Sequence, residues 1–165
     1  MDPDPDNPLH AIVSAPPGAR PKLPRLAELV AHRAPMLLLD EVVGWDGASV
    51  ECLAIVRDDS PFVEAGRVRG VLAVEYMAQA MAAYAGLQGR DRGQPPSVGY
   101  WVGGSDIQIS VDHFLVGDVL HVHATRVSGD DALARFECTV ERDGGEVARG
   151  TLTGLRPDPW RPDRA

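Results

Sequence analysis

The chain has 165 residues, 44% hydrophobic and 24% charged, with a formal net charge of −8. That length supports one domain with a real core, and the composition is ordinary for a globular protein. The charge argues against nucleic acid, whose binding rests on neutralising phosphates with Lys and Arg, and against adhesion to anionic membranes.

Residues 1–22 are rich in Pro, Asp and Ala and read as a disordered tail, with no basic region and apolar run of a signal peptide. A cytoplasmic location is the expectation. Leu23 to Val30 reads as a short helix with Pro24 in its first turn, ended ahead of Ala34-Pro35. Met36 to Val43 is a strand-like run. Trp45-Asp46-Gly47-Ala48 is a turn of the Asp-Gly hairpin type, and Ser49 to Val56 is the return strand. Residues 57–70 read as a loop. Cys52 and Cys138 lie in apolar, strand-like runs without metal-ligand spacing, so buried free thiols are expected, with a single bridge as the alternative.

Gly70 to Leu87 is apolar almost all round, interrupted by Glu75 and Gln79. Their spacing puts them one turn apart on the same face of a helix. A helix apolar on every side is buried, and a carboxylate there must be paired, hydrogen-bonded or held neutral. A carboxyl held neutral can donate a proton, which makes Glu75 the leading functional candidate. The alternative is a partly exposed Glu stabilised by the helix macrodipole. Both side chains lie well inside the stretch and argue against a membrane span.

Residues 89–96 are a polar connector. Strands follow over Val98 to Val111, with a bulge or kink at Gly103-Gly104, then over Val119 to Val127, Ala132 to Arg142 and Glu146 to Leu155. Residues 157–165 are a C-terminal tail. The expected plan is α+β: a hairpin, one long apolar helix and an antiparallel meander curled around it, with a second copy covering what one sheet leaves open.

Two motifs carry a family resemblance. His32-Arg33-Ala34-Pro35-Met36-Leu37-Leu38-Leu39-Asp40-Glu41-Val42 and Gly70-Val71-Leu72-Ala73-Val74-Glu75-Tyr76-Met77-Ala78-Gln79 resemble the first-strand and central-helix motifs of the hot-dog-fold 3-hydroxyacyl-acyl-carrier-protein dehydratases. Phe114-Leu115-Val116-Gly117-Asp118 is a weaker third match. The helix is most similar to the dehydratases of aryl-polyene clusters. The resemblance implies a hot-dog domain over residues 23–156 and loss of water from 3-hydroxyacyl thioesters on acyl carrier protein, with no cofactor and no metal. In that family a His takes the C2 proton, the helix carboxyl protonates the departing hydroxyl, and amides at the helix N-terminus polarise the thioester carbonyl. Glu75 matches the acid, Gln79 its orienting partner, Gly70 and Val71 the amide site, and Phe62 a substrate contact.

The family's His does not carry over. Counting fourteen residues back from Glu75 reaches Pro61, which cannot abstract a proton. His32 is the first choice for a substitute base, with capping of the first helix as its alternative. His113 is a weaker candidate. His121 and His123 share one strand face and read as solvated, and His10 falls in the tail. Arg67 and Arg69, with Arg33 in support, are placed to meet an acidic carrier protein. The alternatives to an active homodimeric dehydratase are a non-catalytic partner subunit in a heterodimer and a thioesterase of the same fold.

Overall fold

The computed structural model describes residues 23–95 and 98–157. The two expected tails, apart from Pro157, and His10 lie outside the described residues. In chain order the elements are α1 (Leu26–Leu29), β1 (Glu41–Trp45), β2 (Ser49–Ile55), β3 (Arg67–Arg69), a 3-10 turn (Gly70–Leu72), α2 (Ala73–Asp91), β4 (Tyr100–Ile109), β5 (His113–Leu115), β6 (Val119–Gly129), β7 (Leu133–Arg142) and β8 (Gly145–Leu155). Six strands form one antiparallel sheet in the order β1-β2-β6-β7-β8-β4; β3 and β5 form a separate two-stranded ribbon.

Period-two alternation builds the inner face of the sheet. Val50, Cys52 and Ala54 of β2 and Leu120, Val122 and Ala124 of β6 are buried, whereas His121 and Thr125 point outward. Helix α2 lies on that inner face. It buries Tyr76, Met77, Ala80, Met81, Ala83, Tyr84 and Leu87 and leaves one stripe, Glu75, Ala78, Ala82 and Ala85, half-buried. The sequence reads as apolar almost all round because the other stripe positions, Ala78, Ala82 and Ala85, are alanine, small enough to count as apolar without filling space. Tyr84 anchors the helix, its ring edge-on to Trp45 and Phe136 and its hydroxyl donating to the Gly47 carbonyl at 3.0 Å.

The structure revises several boundaries. Met36 to Asp40 does not pair as a strand; β1 begins only at Glu41. The expected polar connector starts late, because α2 runs on through Asp91. Part of the expected loop over residues 57–70 is β3, which pairs Arg67, Val68 and Arg69 with Leu115, Phe114 and His113. Such short strands carry too few residues for a period to show. The irregularity in β4 is present as two register shifts, between Trp101 and Gly103 and between Ser105 and Gln108. α1 ends at Leu29, well before Pro35, and the Arg33 guanidinium rather than His32 meets its end, donating to the Val30 carbonyl at 2.8 Å. Both cysteines are free and buried, and burial pushes each thiol up to about 12.

Gly86 shows where backbone packing overrides helix propensity. A Cβ there would lie 2.2 Å from the Leu29 carbonyl oxygen and within 3 Å of two further Leu29 backbone atoms. Gly to Ala inside a helix normally stabilises by about 1 kcal/mol; here the clash reverses the sign. Gly86→Ala is expected to destabilise by about 1–3 kcal/mol, the range for overpacking, read as a lower urea midpoint at unchanged m-value.

Candidate functional site

Gln79 is fully buried on α2, and the backbone of residues 36–38 fixes its amide. The Leu38 N–H donates to Oε1 at 2.9 Å, and Nε2 donates to the Met36 carbonyl at 2.7 Å. A flipped amide would set oxygen against oxygen and N–H against N–H, so the orientation is determined by the network. With Nε2 so placed, Gln79 also donates to Glu75 Oε1 at 2.8 Å, one turn earlier.

Glu75 is the third residue of α2, and its side chain is 34% exposed. It therefore combines both expectations: a carboxyl in the first turn of the helix, partly open, and one fixed by a buried partner. His32 Nε2 lies 3.9 Å from the same Oε1. Its other ring nitrogen, Nδ1, is buried and has no hydrogen-bond partner among the described residues. Residues 43 apart in sequence thus meet at one point, brought there by Gln79 gripping the backbone that follows His32.

The pair opens into a cavity of about 210 Å³. Its floor is the stripe Ala78, Ala82 and Ala85, ending at Gln88, and its walls include Tyr100, Trp101 and Phe136. From Glu75 to Gln88 the helix rises about 20 Å at 1.5 Å per residue. The cavity is a long, mostly apolar groove with His32 and Glu75 at one end and Arg126, Asp130, Asp131 and Arg156 also on its lining, the form of a site for a chain-like ligand.

The remaining expected site residues separate from this groove. Phe62, Arg67, Arg69, Val71 and His113 line a second cavity together with Pro61. Arg67 and Arg69 are exposed and make no ion pair among the described residues. Gly70 departs from its expected role. Its N–H donates to the Asp112 carbonyl at 2.7 Å, and a Cβ would lie 2.0 Å from the Val111 oxygen. The glycine answers the chain beside it rather than the approach of an acyl group, and its amide is taken. The following amide, that of Val71, has no hydrogen-bond acceptor among the described residues, and no side chain caps this turn. His113 sits opposite Arg69 in the β3–β5 ribbon. His121 Nδ1 lies 2.9 Å from Glu51 on the outer face of the sheet. Among the described residues no group of three or more His, Cys, Asp or Glu is placed to hold a metal, and no helix is long and apolar enough to cross a membrane.

A long helix against a six-stranded antiparallel sheet, with a carboxyl near the helix N-terminus facing an apolar groove, defines a hot-dog-fold protein. The chain belongs to the ApeP-like dehydratase family, whose model matches residues 24–164. The 3-hydroxyacyl-[acyl-carrier-protein] dehydratase FabZ of Brucella ovis is 31% identical over 142 residues, covering 79% of this chain and 85% of its own length. Among solved structures, the dehydratase heterocomplex ApeI:P from Xenorhabdus doucetiae aligns with a TM-score of 0.79 and 28% identity, over 83% of this chain and 93% of that one. A hypothetical thioesterase with coenzyme A from Streptococcus pneumoniae aligns at TM-score 0.55 and 16% identity, over 71% and 84% of the two chains, a likeness of fold alone.

Gln79 is the test of the arrangement. In Gln79→Met the Leu38 N–H and Met36 carbonyl lose their partner and Glu75 loses its anchor. The variant is expected to be destabilised by about 1–3 kcal/mol, measured by denaturant unfolding, and to lose turnover more steeply than a stability change of that size explains.

Proposed function

We propose that this chain removes water from 3-hydroxyacyl thioesters carried on acyl carrier protein, in fatty-acid-like or polyene biosynthesis, with its reaction centre at Glu75. The observation that carries this reading is the Glu75–Gln79–His32 cluster at the head of an apolar groove about 20 Å long. Dehydration needs an acceptor for the C2 proton, a donor for the leaving hydroxyl and stabilisation of the enolate oxygen. Glu75 and His32 are the titratable groups at the head of the groove. The uncapped amide of Val71, whose residue lines the second cavity, is the donor proposed for the thioester oxygen. The groove takes the acyl chain, whose apolar surface suits the alanine floor and aromatic walls.

Arg67 and Arg69 are the contacts proposed for the carrier protein. In a chain of net charge −8, two exposed arginines beside the uncapped helix turn are the local exception an acidic partner requires. Phe62 and Val71, in the same cavity, are placed to line the path of the pantetheine arm.

The assembly belongs to the same reading. β4 is an edge of the large sheet and exposes Tyr100, Trp101, Val102 and Ile107. A bare edge carrying large apolar side chains fits pairing with another chain. A second copy gives a homodimer. A related chain gives a heterodimer, in which this subunit would be non-catalytic alone; Pro61 in place of the family His, and the heterocomplex among the aligned structures, favour keeping that second reading.

Incubation with a 3-hydroxyacyl carrier protein, followed by intact-mass spectrometry, separates the readings. The dehydratase gives loss of one water from the carrier, and Glu75→Gln lowers the rate by at least about a thousandfold at unchanged fold. Release of free acid indicates a thioesterase, and turnover only after adding a His-bearing partner chain indicates the heterodimer. For the docking surface, the double variant Arg67→Glu/Arg69→Glu is expected to raise KM for the carrier-linked substrate about tenfold at low salt. Turnover of a short pantetheine thioester should stay unchanged.

A further inference from the structure

The hydrogen-bond network around Gln79 fixes the protons as well as the atoms. The Gln79 amide can face only one way, so Glu75 Oε1 is an acceptor. His32 presents Nε2 to that same oxygen at 3.9 Å, while its Nδ1 is buried without a partner among the described residues. A neutral imidazole carries one N–H. Nδ1 lacks a partner among the described residues in either tautomer, but a proton on Nδ1 would leave the bare Nε2 lone pair facing the carboxylate oxygen, which is unfavourable. Placed on Nε2, it points at the carboxylate. Neutral His32 therefore has its N–H toward Glu75 and its basic nitrogen sealed away from the groove. In that state it cannot take a proton from a substrate.

Glu75 Oε2 is different. Oε1 accepts from Gln79 and has His32 Nε2 3.9 Å away, whereas Oε2 has no hydrogen-bond partner among the described residues, on a one-third-exposed side chain that lines the groove. On the dehydratase reading above, we infer that Glu75 alone moves both protons of the elimination, and that His32 is a positioning residue whose Nε2–H steadies the carboxylate. The ionised Oε2 takes the C2 proton, and the electron pair left on C2 is held as the enolate of the thioester. The pair then forms the C2–C3 double bond as the C3–O bond breaks. Glu75 returns the same proton to the leaving oxygen, which departs as water, and the carboxylate is restored. One group acting on both carbons requires C2–H and C3–OH on the same side. The loss of the family His at Pro61 then leaves no vacancy in the chemistry, because the group that protonates the hydroxyl also receives the C2 proton.

Two measurements decide this. Nitrogen-15 NMR of the histidine-labelled protein should show His32 as the Nε2–H tautomer, and an Nδ1–H tautomer would overturn the proposal. This readout needs no turnover. It therefore stands if the chain proves inactive on 3-hydroxyacyl carrier protein, an outcome that counts against the dehydratase reading itself. In the kinetic arm, His32→Gln, which keeps an N–H donor but has no base, should retain turnover within about tenfold of wild type, whereas His32→Leu loses more. A His32→Gln rate as low as that of Glu75→Gln, in a protein folded by circular dichroism, would make His32 the base and refute the assignment.

Discussion

One buried amide holds the site together. Gln79 bonds at once to the backbone on both sides of Leu37 and to the carboxylate a turn earlier on its own helix. The backbone bonds tie the segment leading into β1 to α2, and that segment carries His32. The third bond fixes Glu75 in place. A fully buried amide with all these partners is stable; the same amide with one of them missing is costly. The position of the carboxyl is therefore coupled to the integrity of the fold, and a loop residue far away in sequence becomes part of the site.

The rest of the architecture follows from what α2 does not bury. Its apolar residues fill the inner face of the sheet, and its alanine stripe looks across a gap toward residues of β4, β7 and β8. Small side chains along that stripe leave a groove where leucines would have left a plug. The groove is walled by the start of β4, an edge strand with exposed aromatic residues. Ligand site and sheet edge are thus neighbours, which makes the reading of the groove and the reading of the assembly depend on each other.

Much of this was legible in the sequence. Glu75 and Gln79 stand out because they are the strongly polar residues in an otherwise apolar run, and the i, i+4 spacing predicts their contact. The alternation of Val50, Cys52 and Ala54 and of Leu120, Val122 and Ala124 marks β2 and β6, whose ends fall within two residues of those expected. The His-Arg-x-Pro resemblance and the absence of a His at position 61 single out His32 in the sequence, and the structure puts its ring beside Glu75. What stayed hidden is tertiary. Nothing local says that the Gly70 amide is bound by Asp112, or that Gly70 is small because Val111 crowds it. The backbone partners of Gln79 are likewise invisible, since main-chain groups carry no sequence signal. The β3–β5 ribbon is too short for a period to register.

The central claim is that Glu75, fixed by Gln79, handles the proton at C2. Exchange at C2 tests it without a leaving group. A saturated acyl carrier protein, lacking the 3-hydroxyl, is incubated with the protein in deuterium oxide, and deuterium uptake at C2 is followed by mass spectrometry. The account predicts uptake with wild type and with His32→Gln, and none above background with Glu75→Gln. Uptake by Glu75→Gln at the wild-type rate would contradict it.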